Sequence, residues 1–367
     1  MVTETFPWEQ IGESHRRRYM LDYSFEELAA LFRDWGYKDA HAKTVFSGLH
    51  RKCYRSADEF RPGLLPKTLI ARMKSPEAPP FEVFRSIQAF PSGDGSVKYL
   101  YELQEGGRIE SVYMPFENRT TFCISSQMGC ALGCTFCATG AMGFRKHLTP
   151  GEILGQVLHM RRSHPDPPGQ TYRTNVVFMG MGEPLHNLNN VMHAFDSLTD
   201  PHGLVLSQRD VSVSTSGLVP KIQQLAGFDR RPQLMVSIAA TSDEARSNIM
   251  PVNRAYPLAR LLATLERYPL RKNERIMLSY VLIAGVNDSR DDADRLIAMG
   301  RRFPSMINLI PLNEHESSPD LNEPEEARLQ WFFNYLNEHG AFATIRRSRG
   351  RDVAAACGQL SNQQLAV

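Results

Sequence analysis

Cys130, Cys134 and Cys137 form a C-x3-C-x2-C run, and no other feature of the 367-residue chain restricts its fold and chemistry as much. Three thiolates this close in sequence can ligate three irons of a four-iron, four-sulfur cube. The fourth iron is then left without a protein ligand and open to a substrate. The competing use of such thiols is structural zinc, which favours two C-x2-C pairs, or one pair with two histidines. Here one C-x2-C joins one C-x3-C and no second pair follows nearby. Phe136, just ahead of the last cysteine, suits a buried cluster loop. The spacing favours one [4Fe–4S] cluster per chain.

A cube with one open iron is the form that radical S-adenosylmethionine (radical SAM) enzymes use. The methionine amine and carboxylate chelate the open iron, and an electron from the cluster cleaves the sulfonium to a 5′-deoxyadenosyl radical. The other cysteines are Cys53, Cys123 and Cys357. In a chain of this length with no secretory signal, six cysteines read as metal or redox chemistry rather than a disulfide frame. The first twenty residues lack an apolar signal core, and no apolar run approaches the roughly 20 residues of a membrane helix. A cytoplasmic protein with no membrane partner is expected. The net charge of +2 neither demands nor excludes a nucleic-acid partner, because such binding needs a local basic patch.

Hydrophobic periodicity divides the chain. Residues 20–75 read as three helices, the first capped by Ser24, and the prolines from Pro76 to Pro80 close that unit. Residues 81–115 read as a hairpin sheet, with short runs at 81–84, 97–103 and 109–113. From about 119 onward strands and helices alternate, with six β/α repeats, a last helix at 324–338 and a last strand at 342–347. The expected fold is α/β: a radical SAM partial (β/α)6 barrel over 116–348, preceded by a helical accessory domain (1–80) and a β extension (81–115). A C-terminal loop (349–367) follows. Functional groups should gather at the C-terminal ends of the strands.

Polar residues do fall at those ends. Gly180-Met181-Gly182-Glu183-Pro184 follows an apolar strand, with Glu183 suited to accept from a methionine amino group. A plain turn explains the glycines equally well. Ser214-Thr215-Ser216-Gly217 ends another strand; its hydroxyls suit ribose or carboxylate oxygens, or else cap the next helix. Ser237 and Asn313 end two more. One such residue means little, whereas four at one end of one sheet describe a cradle. Cys53 and Cys357, read alone, are small buried hydrophobes. Cys123 reads as a strand start, either core filler or a second redox thiol. Glu110, read alone, is an exposed strand glutamate.

The stretch Cys123-Ile124-Ser125-Ser126-Gln127-Met128-Gly129-Cys130-Ala131-Leu132-Gly133-Cys134-Thr135-Phe136-Cys137 resembles the RlmN/Cfr-type RNA adenine methyltransferases. So do residues 180–184, 214–217, 308–313 and Ala356-Cys357-Gly358-Gln359-Leu360. The resemblance implies two S-adenosylmethionine molecules per turnover. One methylates the Cys357 thiolate by displacement; the second supplies the radical that removes hydrogen from that methyl group. The methylene radical then adds to an adenine ring carbon. The resemblance makes Glu110 the acceptor of the ring proton and Cys123 the thiol that forms a disulfide with Cys357 to release product. It assigns Gly182, Glu183, Ser214, Ser237, Ile238, Ala239 and Asn313 to cofactor binding. Ala239 departs from the His that is common there. The N-terminal helices are similar to the family's RNA-binding accessory domain.

The implied substrate is carbon 2 of an adenine in 23S ribosomal RNA, with transfer RNA as a further candidate. Carbon 8 is the alternative, and a non-catalytic metal-containing RNA-binding protein is a third reading. An electron donor such as flavodoxin or ferredoxin and a monomeric state complete the expectations. Of the basic clusters, Arg16–Arg18, Arg161-Arg162, Arg230-Arg231 and Arg301-Arg302 read as solvated faces. Arg346 to Arg351, next to Cys357, reads equally well as a phosphate contact.

Overall fold

The computed structural model describes residues 19–166, 169 and 172–361. Residues 1–18, Arg16–Arg18 among them, lie outside the described residues. Three helices come first: α1 (Phe25–Asp34), α2 (Asp39–Arg51) and α3 (Lys67–Met73). Ser24 caps α1 as expected, its hydroxyl accepting from Glu27 N while Glu27 Oε2 accepts from Ser24 N.

Strands β1 (Phe84–Pro91), β2 (Val97–Leu103) and β3 (Arg108–Pro115) follow. The first lies beyond the expected 81–84, because an edge strand with one neighbour can be mostly exposed and shows little apolar alternation. Nor do the three form a separate sheet. β3 pairs antiparallel with β4 (Arg119–Cys123), which makes them an extension of the main one. Cys123 therefore ends a strand rather than starting one. A hairpin of β5 (Gln127–Gly129) and β6 (Phe144–His147) encloses the cysteine run and the short α4 (Ala138–Ala141).

The alternating part continues through α5 (Pro150–Ser163), β7 (Arg173–Phe178), α6 (Leu188–Thr199), β8 (Val211–Thr215) and α7 (Val219–Ala226). It then runs through β9 (Gln233–Ser237), α8 (Asp243–Ile249), α9 (Leu258–Glu266), β10 (Ile276–Leu282) and α10 (Arg290–Gly300). It ends with β11 (Ser305–Pro311), α11 (Glu326–Glu338) and β12 (Ala343–Ile345). Among the described residues ten strands join one sheet in the order β1-β2-β3-β4-β7-β8-β9-β10-β11-β12, parallel from β4 onward.

Side chains alternate across this sheet as a pleat requires. Thr121, Asn175, Ser212, Gln233, Met277, Asn308 and Thr344, one from each parallel strand, line a single cavity. The sheet is thus curved about its own inner face, as in a partial barrel. That face is polar and methionine-rich. The opposite face carries Val176, Phe178, Val213, Leu234, Leu278 and Leu309, all buried beneath the helices. The apolar core is outside the curve and a hollow is inside it, so this small barrel is not filled by its own side chains.

The two edges of the sheet meet through loops. Ser92 Oγ and Gly93 N, in the β1–β2 turn, donate to Asp352 at 2.6 and 2.9 Å, and Gly350 N donates to Asp94 Oδ2 at 2.9 Å. Gly350 sits at φ +68°, where a side chain is disfavoured.

The N-terminal helices are tied to the parallel part at the start of α5. Thr149 and Glu152 form a reciprocal cap there. Gly151 N donates to Oδ1 of the buried Asp22 at 2.7 Å, and Tyr19 N donates to its Oδ2 at 2.9 Å. Asp22→Ala leaves two enclosed N–H donors without this acceptor. We expect a loss of about 1–3 kcal/mol in urea-induced unfolding; an unchanged midpoint would mean that the tie contributes nothing.

Candidate functional site

The cysteine run is shaped by its hairpin. Cys130 leaves β5, with its N–H donating to Gly143 O at 3.1 Å, and Cys137 precedes α4, with its N–H donating to Cys134 O at 3.2 Å. Thr135 N donates to Ile249 O of α8 at 3.0 Å, which fixes the middle of the loop. All three cysteine side chains line one cavity of about 170 Å³ at the C-terminal ends of the strands. Burial pushes all three thiols above their ordinary range, Cys134 to about 12. Among the described residues no three His, Cys, Asp or Glu side chains converge on one metal-ion position. A cube asks for no such convergence, since each thiolate bonds a different iron. Three enclosed soft donors on one wall of a cavity fit a [4Fe–4S] cluster.

The same cavity is lined by Gly182, Glu183, Ser214, Ser237 and Asn313, so the structure gathers these five expected residues with the three cysteines. Glu183 is 3% exposed. Its Oε2 accepts from Ser216 N and Oγ at 2.8 and 2.9 Å, and its Oε1 from Leu185 N at 3.1 Å. Burial outweighs these bonds and pushes its pKa upward. Ser216 therefore serves Glu183, not a helix cap; the residue ahead of α7 is Leu218, with no side-chain cap bond. The glycines have a local reason too. A Cβ at Gly180 would stand 2.7 Å from Ile124 C, and one at Gly182, with φ +99°, would collide with Gln127.

Ile238 and Ala239 are fully buried and are not among the side chains lining this cavity. They follow β9 directly, with Ile238 N donating to Ser279 O and Ala239 in the left-handed region at φ +56°. Ser279 and Met250 also line the cavity, and sequence reasoning missed both.

Cys357 is brought to this site by its neighbours. Ala138 N donates to Gly358 O at 2.7 Å, Thr139 Oγ1 to Leu360 O at 2.6 Å, and Asn313 Nδ2 to Cys357 O at 3.0 Å. Gly358, at φ +85°, lies so close to the cysteine run that a Cβ would stand 3.0 Å from Phe136 O. Cys357 is thus no isolated buried hydrophobe. It lines both the cysteine cavity and the larger hollow of about 970 Å³ inside the curved sheet. Met179, Met235 and Arg346 also belong to both walls.

Cys123 lines the larger hollow only. Its thiol is pushed up to about 12, by burial first and by neighbouring Cys357 second, with Arg346 pulling the other way. All six cysteines are free thiols, so the Cys123–Cys357 disulfide implied by the resemblance is not formed here.

Glu110 corrects the reading of an exposed strand residue. It is fully buried on β3, paired with buried Lys98 at 3.1 Å, and its Oε2 accepts from Ser361 N at 3.0 Å. Lys98, on β2, explains how a carboxylate can be enclosed there: an ion pair offsets part of its desolvation. Glu110 is not a lining residue of either cavity, but it holds the chain four residues past Cys357.

The larger hollow is also lined by Arg119, Arg173, Arg209, Arg346, Arg347 and Arg349. Arg347 and Arg351 pair with Glu326 and Glu323. Arg349 donates to Pro115 O at 2.5 Å and lies over Phe116. Arg162, Arg231 and Arg302 all have protein partners, and Arg231 is buried rather than on the solvated face expected of it, because its guanidinium donates to backbone carbonyls.

Residues 124–297 match the Radical SAM superfamily. The chain is 41% identical over 349 residues to the dual-specificity RNA methyltransferase RlmN of Geotalea uraniireducens (strain Rf4), covering 93% of this chain and 96% of that one. It is 48% identical over 273 residues to the protein of that name in Syntrophotalea carbinolica, covering 74% and 71%. The crystal structure of a radical SAM methyltransferase from Sphaerobacter thermophilus superposes with a TM-score of 0.88 at 37% identity, over 95% of this chain and all of that one. Similarity of this extent means that the chain belongs to the RlmN family of radical SAM RNA methyltransferases.

Proposed function

We propose that this protein transfers a methyl group, by way of Cys357, to carbon 2 of an adenine in 23S ribosomal RNA and, as a second substrate, in transfer RNA. The observation that carries the reading is the position of Cys357 in the walls of two adjoining cavities. One cavity holds the three cysteines and the polar strand ends. The other is a hollow large enough for a splayed nucleotide, with arginines along its walls. A carbon carried on Cys357 would face both.

Cys130, Cys134 and Cys137 would hold a [4Fe–4S] cluster, which together with S-adenosylmethionine would supply one-electron cleavage of the sulfonium. Glu183, with Gly182, Ser214, Ser237, Asn313 and the backbone of Ile238 and Ala239, would orient the cofactor. Cys357 would first accept a methyl group by displacement, its thiolate sulfur forming the new S–C bond as the methyl–sulfonium bond breaks and the neutral thioether leaves. That carbon would then give a hydrogen atom to the cofactor-derived radical and add to the adenine ring, and the adduct would return one electron before product release. Glu110, paired with Lys98 at 3.1 Å, would accept the ring proton. Cys123 would then attack the Cys357 sulfur, forming the S–S bond as the bond from that sulfur to the transferred carbon breaks; the carbon keeps the electron pair and takes up a proton to become the methyl group. A flavodoxin or ferredoxin type of donor would supply the electron. RNA is the partner on this reading, in a cytoplasmic setting; no helix among the described residues is long and apolar enough to cross a membrane.

Cys357→Ala should abolish methyl transfer to RNA while 5′-deoxyadenosine still forms, read by liquid chromatography of the quenched reaction; residual methylation would remove Cys357 from the mechanism. Cys123→Ala should accumulate a covalent protein–RNA adduct on denaturing gels, and normal product release would exclude it as the resolving thiol. Because Cys123 titrates near 12, its thiolate fraction rises about tenfold per pH unit below that value. Adduct decay in the wild-type protein should therefore quicken as pH rises from about 7 to about 9. Nucleoside mass spectrometry of reacted RNA should yield 2-methyladenosine; 8-methyladenosine would move the chemistry to the other ring carbon, and neither product would refute the proposal.

A further inference from the structure

Arg246 lies on α8, is fully buried, and has no part in the chemistry above. Four of its five N–H donors have named acceptors. Nη2 donates to Ser216 O at 2.7 Å and Ser237 O at 3.1 Å, Nε to Ile238 O at 3.0 Å, and Nη1 to Asn253 Oδ1 at 2.9 Å. Every acceptor is a neutral oxygen. Asp243, on the same helix, gives its Oδ1 to Asn253 Nδ2 and Leu258 N instead. A buried cation hydrogen-bonded only to neutral groups is poorly compensated, because dipoles offset desolvation less well than an opposite charge.

Asp243 favours the cation through space without bonding it, and Cys134 does so more strongly. Ser216 and Ser237, two of the acceptors, line the cavity of the three cysteines. Arg246 and Cys134 act on one another electrostatically, the cation favouring the thiolate and the thiolate favouring the cation. At its far end α8 holds the cysteine loop itself, through Ile249 O and Thr135 N. Glu183, the carboxylate of that cavity, is bonded to Ser216 N and Oγ, on the other side of the residue whose carbonyl Arg246 holds.

We propose that Arg246 is the built-in counter-charge of the cluster on Cys130, Cys134 and Cys137, a positioning residue that sets its reduction potential. This rests on the functional reading above. Three thiolates make the cluster site anionic, and the added electron makes it more so. A fixed cation in a low-dielectric setting stabilises the reduced state more than the oxidised one and raises the potential. The four hydrogen bonds hold the planar guanidinium in place, so little reorganisation accompanies electron arrival. A purely structural role would be different: Arg246 would only staple the ends of β8 and β9.

The test is redox titration of the anaerobically reconstituted full-length chain, followed by electron paramagnetic resonance of the reduced cluster. Wild-type protein should bind about four irons; failure here would sink the functional reading, separately from this inference. Arg246→Gln removes the charge and should lower the reduced-to-oxidised ratio at fixed potential at least tenfold, about 59 mV for one electron. Arg246→Lys keeps the charge and loses the fork, and should stay within about threefold of wild type, on the same scale. A Gln variant with wild-type potential overturns the proposal, as does a Lys variant shifted as far as the Gln variant. Should the Gln variant take up no iron, Arg246→Lys decides alone: a potential near wild type supports the counter-charge, and a tenfold shift overturns it.

Discussion

The site depends on how the C-terminal segment lies on the cysteine run. Ala138 N to Gly358 O and Thr139 Oγ1 to Leu360 O are contacts between residues more than two hundred positions apart. They place Cys357 beside the three cysteines, although nothing in its own neighbourhood could. Each bond contributes about 0.5–1.5 kcal/mol net. Gly358 is what permits them, because a side chain there would press on the backbone carbonyl of Phe136. Glu110, bonding Ser361 N from β3, and Asn313, bonding Cys357 O after β11, hold the segment from either side. A single loop position thus draws on the first strands, the cysteine hairpin and the last parallel strands together.

The curved sheet separates stability from chemistry by face. Its outer face buries Val, Leu, Ile and Phe against the helices, where each fully buried side chain contributes about 1.5–3 kcal/mol by transfer from water. Its inner face carries Asn175, Ser212, Gln233, Met277 and Asn308, which fill little of the lumen and leave it to a ligand. Polar residues can occupy the inside because the fold does not draw its core from there. The same pleat brings Ser214 and Ser237 to the cavity, each two residues along its strand from a residue lining the larger hollow.

What could be read from sequence was what is local. The cysteine spacing is legible because cluster ligation needs the thiols within one tight loop. Ser24 marks a helix start by hydrogen bonds spanning three residues. Glu183, Ser214, Ser237 and Asn313 could be grouped because parallel strands put equivalent ends together. The remainder depended on contacts across the chain. An exposed edge strand such as β1 has no clean alternation, and α8 is a short polar segment ahead of Pro251. Glu110 looked solvent-exposed because its partner Lys98 is on the neighbouring strand, and Cys357 looked inert because its environment comes from residues 136–139 and 313. Had the two-residue period of polar groups along β7, β8, β9 and β11 been followed, the hollow itself could have been anticipated.

The stitches between the β1–β2 turn and residues 350–352 give the curved sheet a seam. Around most of the ring, neighbouring strands share backbone ladders, which part only with the loss of several bonds at once. At the seam the ring is joined by Asp94 and Asp352, carboxylates borne on surface loops and competing with water for the same donors. A hoop under strain gives at its clasp. The clasp here sits five residues before Cys357, so the join with the fewest bonds in the circumference lies next to the segment that carries that residue.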